Sequence, residues 1–236
     1  MSLSKQVLSN WPKQRATLTP EQQGILEDWY AYWLSLLSAQ FSAVTRFNHE
    51  YPLRTYRPGA RTLEIGAGTG EHLRCENPAD QEYYALELRA NLAEQMRRDF
   101  PQVHTIVGDC ERRLDVPDAS MDRVIAIHVL EHLGDLPAAL DEIRRTLKPD
   151  GKFSVVIPCE GGAAYSLGRR VSSKRIFEKR YRQSYDWLIS YEHINRADEI
   201  IAELRKRFHV THRQFWPLGL PSIHANLVLG MTLQPL

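Results

Sequence analysis

The run Arg61-Thr62-Leu63-Glu64-Ile65-Gly66-Ala67-Gly68-Thr69-Gly70-Glu71 constrains the fold of this chain more than any other stretch. It reads as a short buried strand, Thr62 to Ile65, breaking into a turn with glycine at every second position. Glycine lets the backbone turn sharply with positive φ and lets a ligand approach without a Cβ in the way. A glycine-rich turn between a strand and a helix is where open α/β sheets hold nucleotide-like ligands. A P-loop would need a Gly-Lys-Ser/Thr ending, and no lysine stands near Gly70. A dinucleotide fingerprint would need a third glycine where Glu71 stands, and an acid there would repel a pyrophosphate. Glu64 instead puts a carboxylate just before the turn, which suits a ligand with a cationic end such as the ammonium of an amino acid.

The following hundred residues repeat a strand-then-helix rhythm. Glu82 to Glu87 reads as a second strand ending in an acid. That acid lies about twenty residues beyond the glycines, the spacing at which a carboxylate meets ribose hydroxyls in nucleotide-binding α/β folds. Asn91 to Phe100 reads as a helix, Val103 to Val107 as a third strand, and Arg123 to Ile127 as a fourth, apolar enough to be buried on both faces. Leu136 to Leu147 is an amphipathic helix, Lys148-Pro149-Asp150-Gly151 a turn, and Lys152 to Ile157 a fifth strand. Glu71 to Arg74 is expected to open the first helix of the sheet domain, and Asn195 to cap a helix running to about Arg207. Phe208 to Phe215 and Ala225 to Leu233 read as the closing strands.

Leu63-Glu64-Ile65-Gly66-Ala67-Gly68-Thr69-Gly70 resembles the first motif of the class I S-adenosylmethionine-dependent methyltransferases, of the small-molecule methyltransferase-11/12-like type. Gly108-Asp109-Cys110, His128-Val129-Leu130-Glu131-His132-Leu133 and Leu147-Lys148-Pro149-Asp150-Gly151-Lys152 resemble later motifs of the same family. The resemblance implies a Rossmann-like three-layer α/β sandwich whose seven-stranded sheet has its last strand antiparallel. It covers residues 60 to 157 closely and the rest loosely. The cofactor it implies is S-adenosylmethionine, with S-adenosylhomocysteine as product. Its cofactor site falls on Glu64, Gly66, Ala67, Gly68, Gly70, Glu87, Leu88, Asp109, Cys110 and His128. Asp109 is then expected at the adenine amino group, which only donates and needs an acceptor.

The organisation expected is an N-terminal helical extension over residues 1–57, serving as lid or packing helix, then a cofactor-binding domain over 58–236 with an insert at about 158–192. Thr19-Pro20-Glu21-Gln22 resembles a helix start, and Leu26, Trp29, Tyr30, Trp33, Leu37 and Phe41 recur at helical steps. The insert holds seven Lys or Arg against one Glu between Arg169 and Arg182, interleaved with Tyr181, Tyr185, Trp187 and Tyr191. This is either a solvated helix face or a surface for an acidic substrate.

Transfer from a sulfonium needs a base only when the nucleophile arrives protonated. His193 is the expected base, because its segment follows the insert that should face substrate; His128 is expected as a pocket wall and His132 as a helix-start hydrogen bond. His128, Glu131 and His132 at i, i+3 and i+4 share a helical face that His193 could complete as a metal site, but no metal is assigned. The expected function is O-methylation of a small-molecule or sugar-containing metabolite. The alternatives are RNA methylation through the basic insert, or a non-catalytic cofactor-binding partner subunit. A net charge of +1 gives no global field for nucleic acid, which is not expected as a partner, and no apolar run approaches a membrane span. Three widely spaced cysteines suit a reducing cytoplasm, and a monomer or homodimer is expected.

Overall fold

The computed structural model describes residues 11–40 and 42–236. Its centre is one seven-stranded sheet in the order β3-β2-β1-β4-β5-β7-β6. The strands are β1 Arg61–Ile65, β2 Glu82–Glu87, β3 His104–Val107, β4 Met121–Ile127, β5 Leu147–Pro158, β6 Phe208–Trp216 and β7 Val228–Pro235. The first five pair in parallel, and β7 runs antiparallel to both β5 and β6. The expected class I sheet is therefore present, reversed strand included. Because β1 is central, its side chains alternate between two buried layers, and Leu63 and Ile65 are almost fully enclosed. Full burial of such a side chain contributes about 1.5–3 kcal/mol.

Helices cover both faces. On one, α4 (Leu136–Thr146) and α8 (Ala197–Arg207) send Leu140, Ile143, Ile200 and Leu204 into the same core as Leu63 and Val124. On the other, α2 (Ser42–Glu50) and α3 (Ala90–Asp99) place Phe47 and Met96 against the sheet. Asp135 caps α4 by accepting the Ala138 N–H at 3.1 Å. Residues 163–192 fold as three short helices, α5 (Ala163–Val171), α6 (Ser173–Tyr181) and α7 (Asp186–Glu192). The N-terminal α1 (Pro20–Gln40) begins with the expected signal: Thr19 Oγ1 accepts from the Gln22 N–H, and the Gln22 side chain accepts from the Thr19 N–H. Phe41 lies outside the described residues.

Three local expectations are corrected. The segment after the glycine turn forms only a 3₁₀ turn, His72–Arg74, and no α-helix before β2. Pro78 lacks an N–H and disfavours helix at the residue before it, so Asn77 caps a second short turn instead. The proposed turn at 148–151 lies within β5, whose pairing to β4 shifts register between Met121 and Arg123. Asn195 is not the α8 cap; that position belongs to Arg196, whose N–H meets Glu199. Asn195 is fully buried and donates to the Leu130 and Leu133 carbonyls at 2.8 and 2.7 Å, clamping the loop after β4.

Candidate functional site

The glycine turn is stapled onto the end of β2. Gly66 and Ala67 both donate to the Leu86 carbonyl, at 2.8 and 3.0 Å. The Gly68 N–H donates to Glu87 Oε2 at 2.9 Å, so the turn and the acid read at the second strand end form one unit. Gly66 has φ +68°, and a Cβ there would lie 2.6 Å from Val129 Cγ2 in the loop after β4. The other Glu87 oxygen accepts from the backbone and side chain of Arg89, at 3.0 and 2.9 Å. Leu88 between them is 66% exposed, an apolar surface of the kind a planar ring covers. Arg89 continues to α1, where it meets Tyr30.

Glu64 points into the layer left without a first crossover helix. It accepts from the Tyr83 hydroxyl at 3.0 Å, and burial pushes its carboxyl up to about 7. A buried polar network fills that layer. Arg123 makes a two-oxygen contact to Glu76 at 2.7 and 2.8 Å and donates to the Thr55 hydroxyl and the Pro52 carbonyl. Burial acts to raise Glu76, but His72 and Arg123 outweigh it and hold the carboxyl down at about 2. The His49 ring stacks 5.7 Å from that of His72, and burial lowers the His49 imidazole to about 4. Asn48 Oδ1, His49 Nδ1 and His72 Nδ1 are buried polar atoms with no protein partner, an arrangement that ligands or water satisfy. Sequence reading missed these residues, because no spacing links α2 to the glycine turn.

At the end of β3, Asp109 Oδ1 accepts the Glu111 N–H at 2.9 Å. Cys110 is buried, which pushes its thiol up to about 12 and leaves it inert. Glu111 reaches the loop after β4, accepting from Gly134 and Asp135. The third and fourth strand ends are thereby tied to each other.

At the end of β4, His128 takes φ +52°, a left-handed conformation unusual for a residue with a side chain. Its Nδ1 lies 3.1 Å from Glu131 Oε1. Burial acts to raise the Glu131 carboxyl, yet the bond to His128 and the nearby histidine charges hold it down at about 2. His132 does not make a helix-start bond; its Nδ1 donates to the Glu192 carbonyl at 2.7 Å. His193 lies beside it, the two rings 5.1 Å apart and edge to face. His193 Nδ1 meets Glu160 Oε2 at 3.0 Å, and Arg169 holds the same oxygen. Glu160, at the end of β5, was also missed; its role exists only once the insert folds back over the sheet.

The insert and the N-terminal helix share an aromatic cluster. Trp29 of α1 packs against Phe177, Tyr181 and Tyr185, with ring centroids 5.2 to 6.2 Å apart. These rings pack on each other. Part of the basic run is neutralised in place: Arg169 pairs with Glu160, Lys174 with Asp186 and Arg180 with Asp28. A cavity of about 430 Å³ lies at the opposite end of the sheet, lined by Arg54, Lys152 and His212 among others and by none of the residues expected to hold the cofactor. Among the described residues no helix is long and apolar enough to cross a membrane.

Residues 63–155 match the family model described as a methyltransferase domain. The chain is 34% identical over 94 residues to a malonyl-[acyl-carrier protein] O-methyltransferase of Serratia marcescens, covering 40% of this chain and 36% of that one. It is 32% identical over 98 residues to a demethylmenaquinone methyltransferase of Renibacterium salmoninarum, covering 42% and 41%. The chain thus spans well under half the length of these relatives. A TehB-like S-adenosylmethionine-dependent methyltransferase from Corynebacterium glutamicum has the same fold, with a TM-score of 0.60 at 16% identity over 91% of this chain and 100% of that one. Residues 63–155, the part built on β1 to β5 with its glycine turn fastened to Glu87, thus match a methyltransferase domain, and the chain has the class I methyltransferase fold.

Proposed function

We propose that the chain transfers a methyl group from S-adenosylmethionine to an oxygen of a small-molecule or sugar-containing acceptor. The observation that supports this reading is the bond between the Gly68 N–H and Glu87, which holds the turn and the acid side by side. In it Glu87 receives the ribose hydroxyls, Leu88 and Asp109 the adenine, and the Cys110 amide a ring nitrogen. Gly66, Ala67, Gly68 and Gly70 give the close approach, while Glu64 and His128 face the methionyl end. The buried, partnerless atoms of Asn48, His49 and His72 fit a polar amino-acid group there.

Bound S-adenosylmethionine supplies an electrophilic methyl carbon whose bond to sulfur breaks as the acceptor oxygen attacks in line. The chain's part is alignment and exclusion of water. α1 and the insert close over the strand ends, as the Tyr30–Arg89 contact supports. His193, oriented by Glu160, takes the hydroxyl proton on Nε2. The likeness to an O-methyltransferase supports an oxygen acceptor.

Isothermal titration of S-adenosylmethionine and S-adenosylhomocysteine into purified protein tests the cofactor, with micromolar binding expected. Glu87→Ala should weaken it at least tenfold, and unchanged affinity would remove the ribose assignment. A screen of hydroxylated and sugar-linked metabolites then tests the acceptor class, His193→Ala being expected to lower kcat.

A further inference from the structure

Glu131, His132 and His193 each bring one ligating atom within 4.8 Å of the other two. The two imidazoles are turned to offer the same nitrogen. His132 Nδ1 lies 2.7 Å from the Glu192 carbonyl, which only accepts, so its proton sits on Nδ1 and Nε2 carries a lone pair. His193 Nδ1 lies 3.0 Å from the Glu160 carboxylate, itself fixed by Arg169, which imposes the same tautomer. Such outer partners are what orient metal-bound histidines.

Glu131 is 1% exposed, and its Oε2 is buried without a protein partner. Its Oε1 meets His128 Nδ1 at 3.1 Å but stands 3.9 Å from His132 Nε2, beyond hydrogen-bond reach. A buried carboxylate oxygen without a partner is costly, and a cation placed between it and the two Nε2 atoms removes that cost.

We propose that Glu131, His132 and His193 form a site for one divalent transition-metal ion, bound through one carboxylate and two imidazoles with positions left open toward the acceptor. Two nitrogens and one oxygen suit zinc, manganese, iron, cobalt or nickel better than magnesium or calcium, which prefer all-oxygen shells. Bonds of about 2.1 Å bring neighbouring ligand atoms to roughly 3 Å, so the three side chains close in by small rotations. His128 is not a ligand in this arrangement; it holds Glu131 Oε1 and orients the carboxylate. That is why the four-residue spacing in sequence did not define the site.

The ion's role rests on the methyl-transfer reading, whereas its binding does not. With the ion bound, His193 Nε2 is a ligand and no longer the base, and the acceptor hydroxyl, acidified by the ion, gives its proton to solvent as its oxygen attacks the methyl carbon.

The test uses untagged full chain stripped with chelator and dialysed. Cobalt(II) is titrated by visible absorption and zinc by calorimetry, with S-adenosylhomocysteine affinity measured on the same samples. One ion per chain, with ligand-field bands, is expected. Glu131→Gln and His193→Ala should each abolish it, and Glu160→Gln should weaken it 10- to 100-fold with the fold intact by circular dichroism. Should Glu131→Gln not fold, His193→Gln and Glu160→Gln carry the test. Absence of stoichiometric binding, or binding that survives His193→Ala, overturns the site. A wild-type chain that binds S-adenosylhomocysteine but no metal fells only the metal site; one that binds metal but no S-adenosylhomocysteine fells only the cofactor reading.

Discussion

Arg89 donates to the Tyr30 hydroxyl at 2.6 Å while its guanidinium lies 4.3 Å from the centre of the same ring. The other end of Arg89 is on Glu87. One side chain therefore joins the N-terminal helix to the acid beside the glycine turn. An exposed cation–π contact contributes about 0.5–1 kcal/mol, and a hydrogen bond to a charged group adds about 1.5–3 kcal/mol. Tyr30→Ala is expected to speed S-adenosylhomocysteine release by at least several-fold without changing the circular dichroism spectrum. Stopped-flow displacement reads this directly, and an unchanged release rate would show that α1 does not retain the ligand.

The raised Glu64 carboxyl ties stability to pH. A group that keeps its proton longer in the folded chain costs stability as pH rises from its ordinary value of 4.5 toward about 7, after which the loss levels off. The difference in melting temperature between the wild type and Glu64→Gln should therefore shift against the wild type across that window. A bound ammonium would reverse the shift and expel the proton. Titrations of S-adenosylmethionine at pH 6.5 should give heats that depend on the buffer's ionisation enthalpy, and buffer-independent heats would place Glu64 away from the cationic end.

Arg123 and Glu76 are both enclosed, at 1% and 0% side-chain exposure. Removing one partner strands the other charge, which costs about 3–5 kcal/mol. Arg123→Met should lower the urea midpoint accordingly, and adding Glu76→Gln should recover part of the loss. Simple additivity of the two changes would contradict a coupled pair.

Gly66→Ala meets two obstacles: the positive φ and the contact with Val129. The left-handed conformation alone costs an alanine about 1–2 kcal/mol. Val129→Ala in the same chain should relieve the contact but not the conformational cost, so the double variant should recover only partly in denaturation. Full recovery would mean that the turn tolerates a Cβ.

What was legible in the sequence was whatever is encoded locally. β2 was read with its observed bounds because a short apolar run ends at an acid, and the Thr19 start of α1 followed from its capping pattern. Glu64, Glu87 and Asp109 were legible because each stands at a strand end. Asn195 looked like a cap because its neighbours resemble a helix start, yet it is buried under the loop after β4, an association set by packing over long sequence distance. The same holds for Arg123 on Glu76 and Glu160 on His193. Their partners become neighbours only after the sheet has formed. The missing helix after the glycine turn was signalled by Pro78, which the pattern of later motifs overshadowed.

The placement of β7 between β5 and β6 has a consequence for the order in which the chain assembles. β6 is synthesised first but has no seat on the sheet until β7 has docked against β5, with Val155 opposite Met231. Until then the β5 edge presents unpaired N–H and C=O groups, the kind of edge that recruits strands from other chains. The hairpin of β6 and β7 must therefore add as a unit. Chains caught before that step are the population in which aggregation should begin.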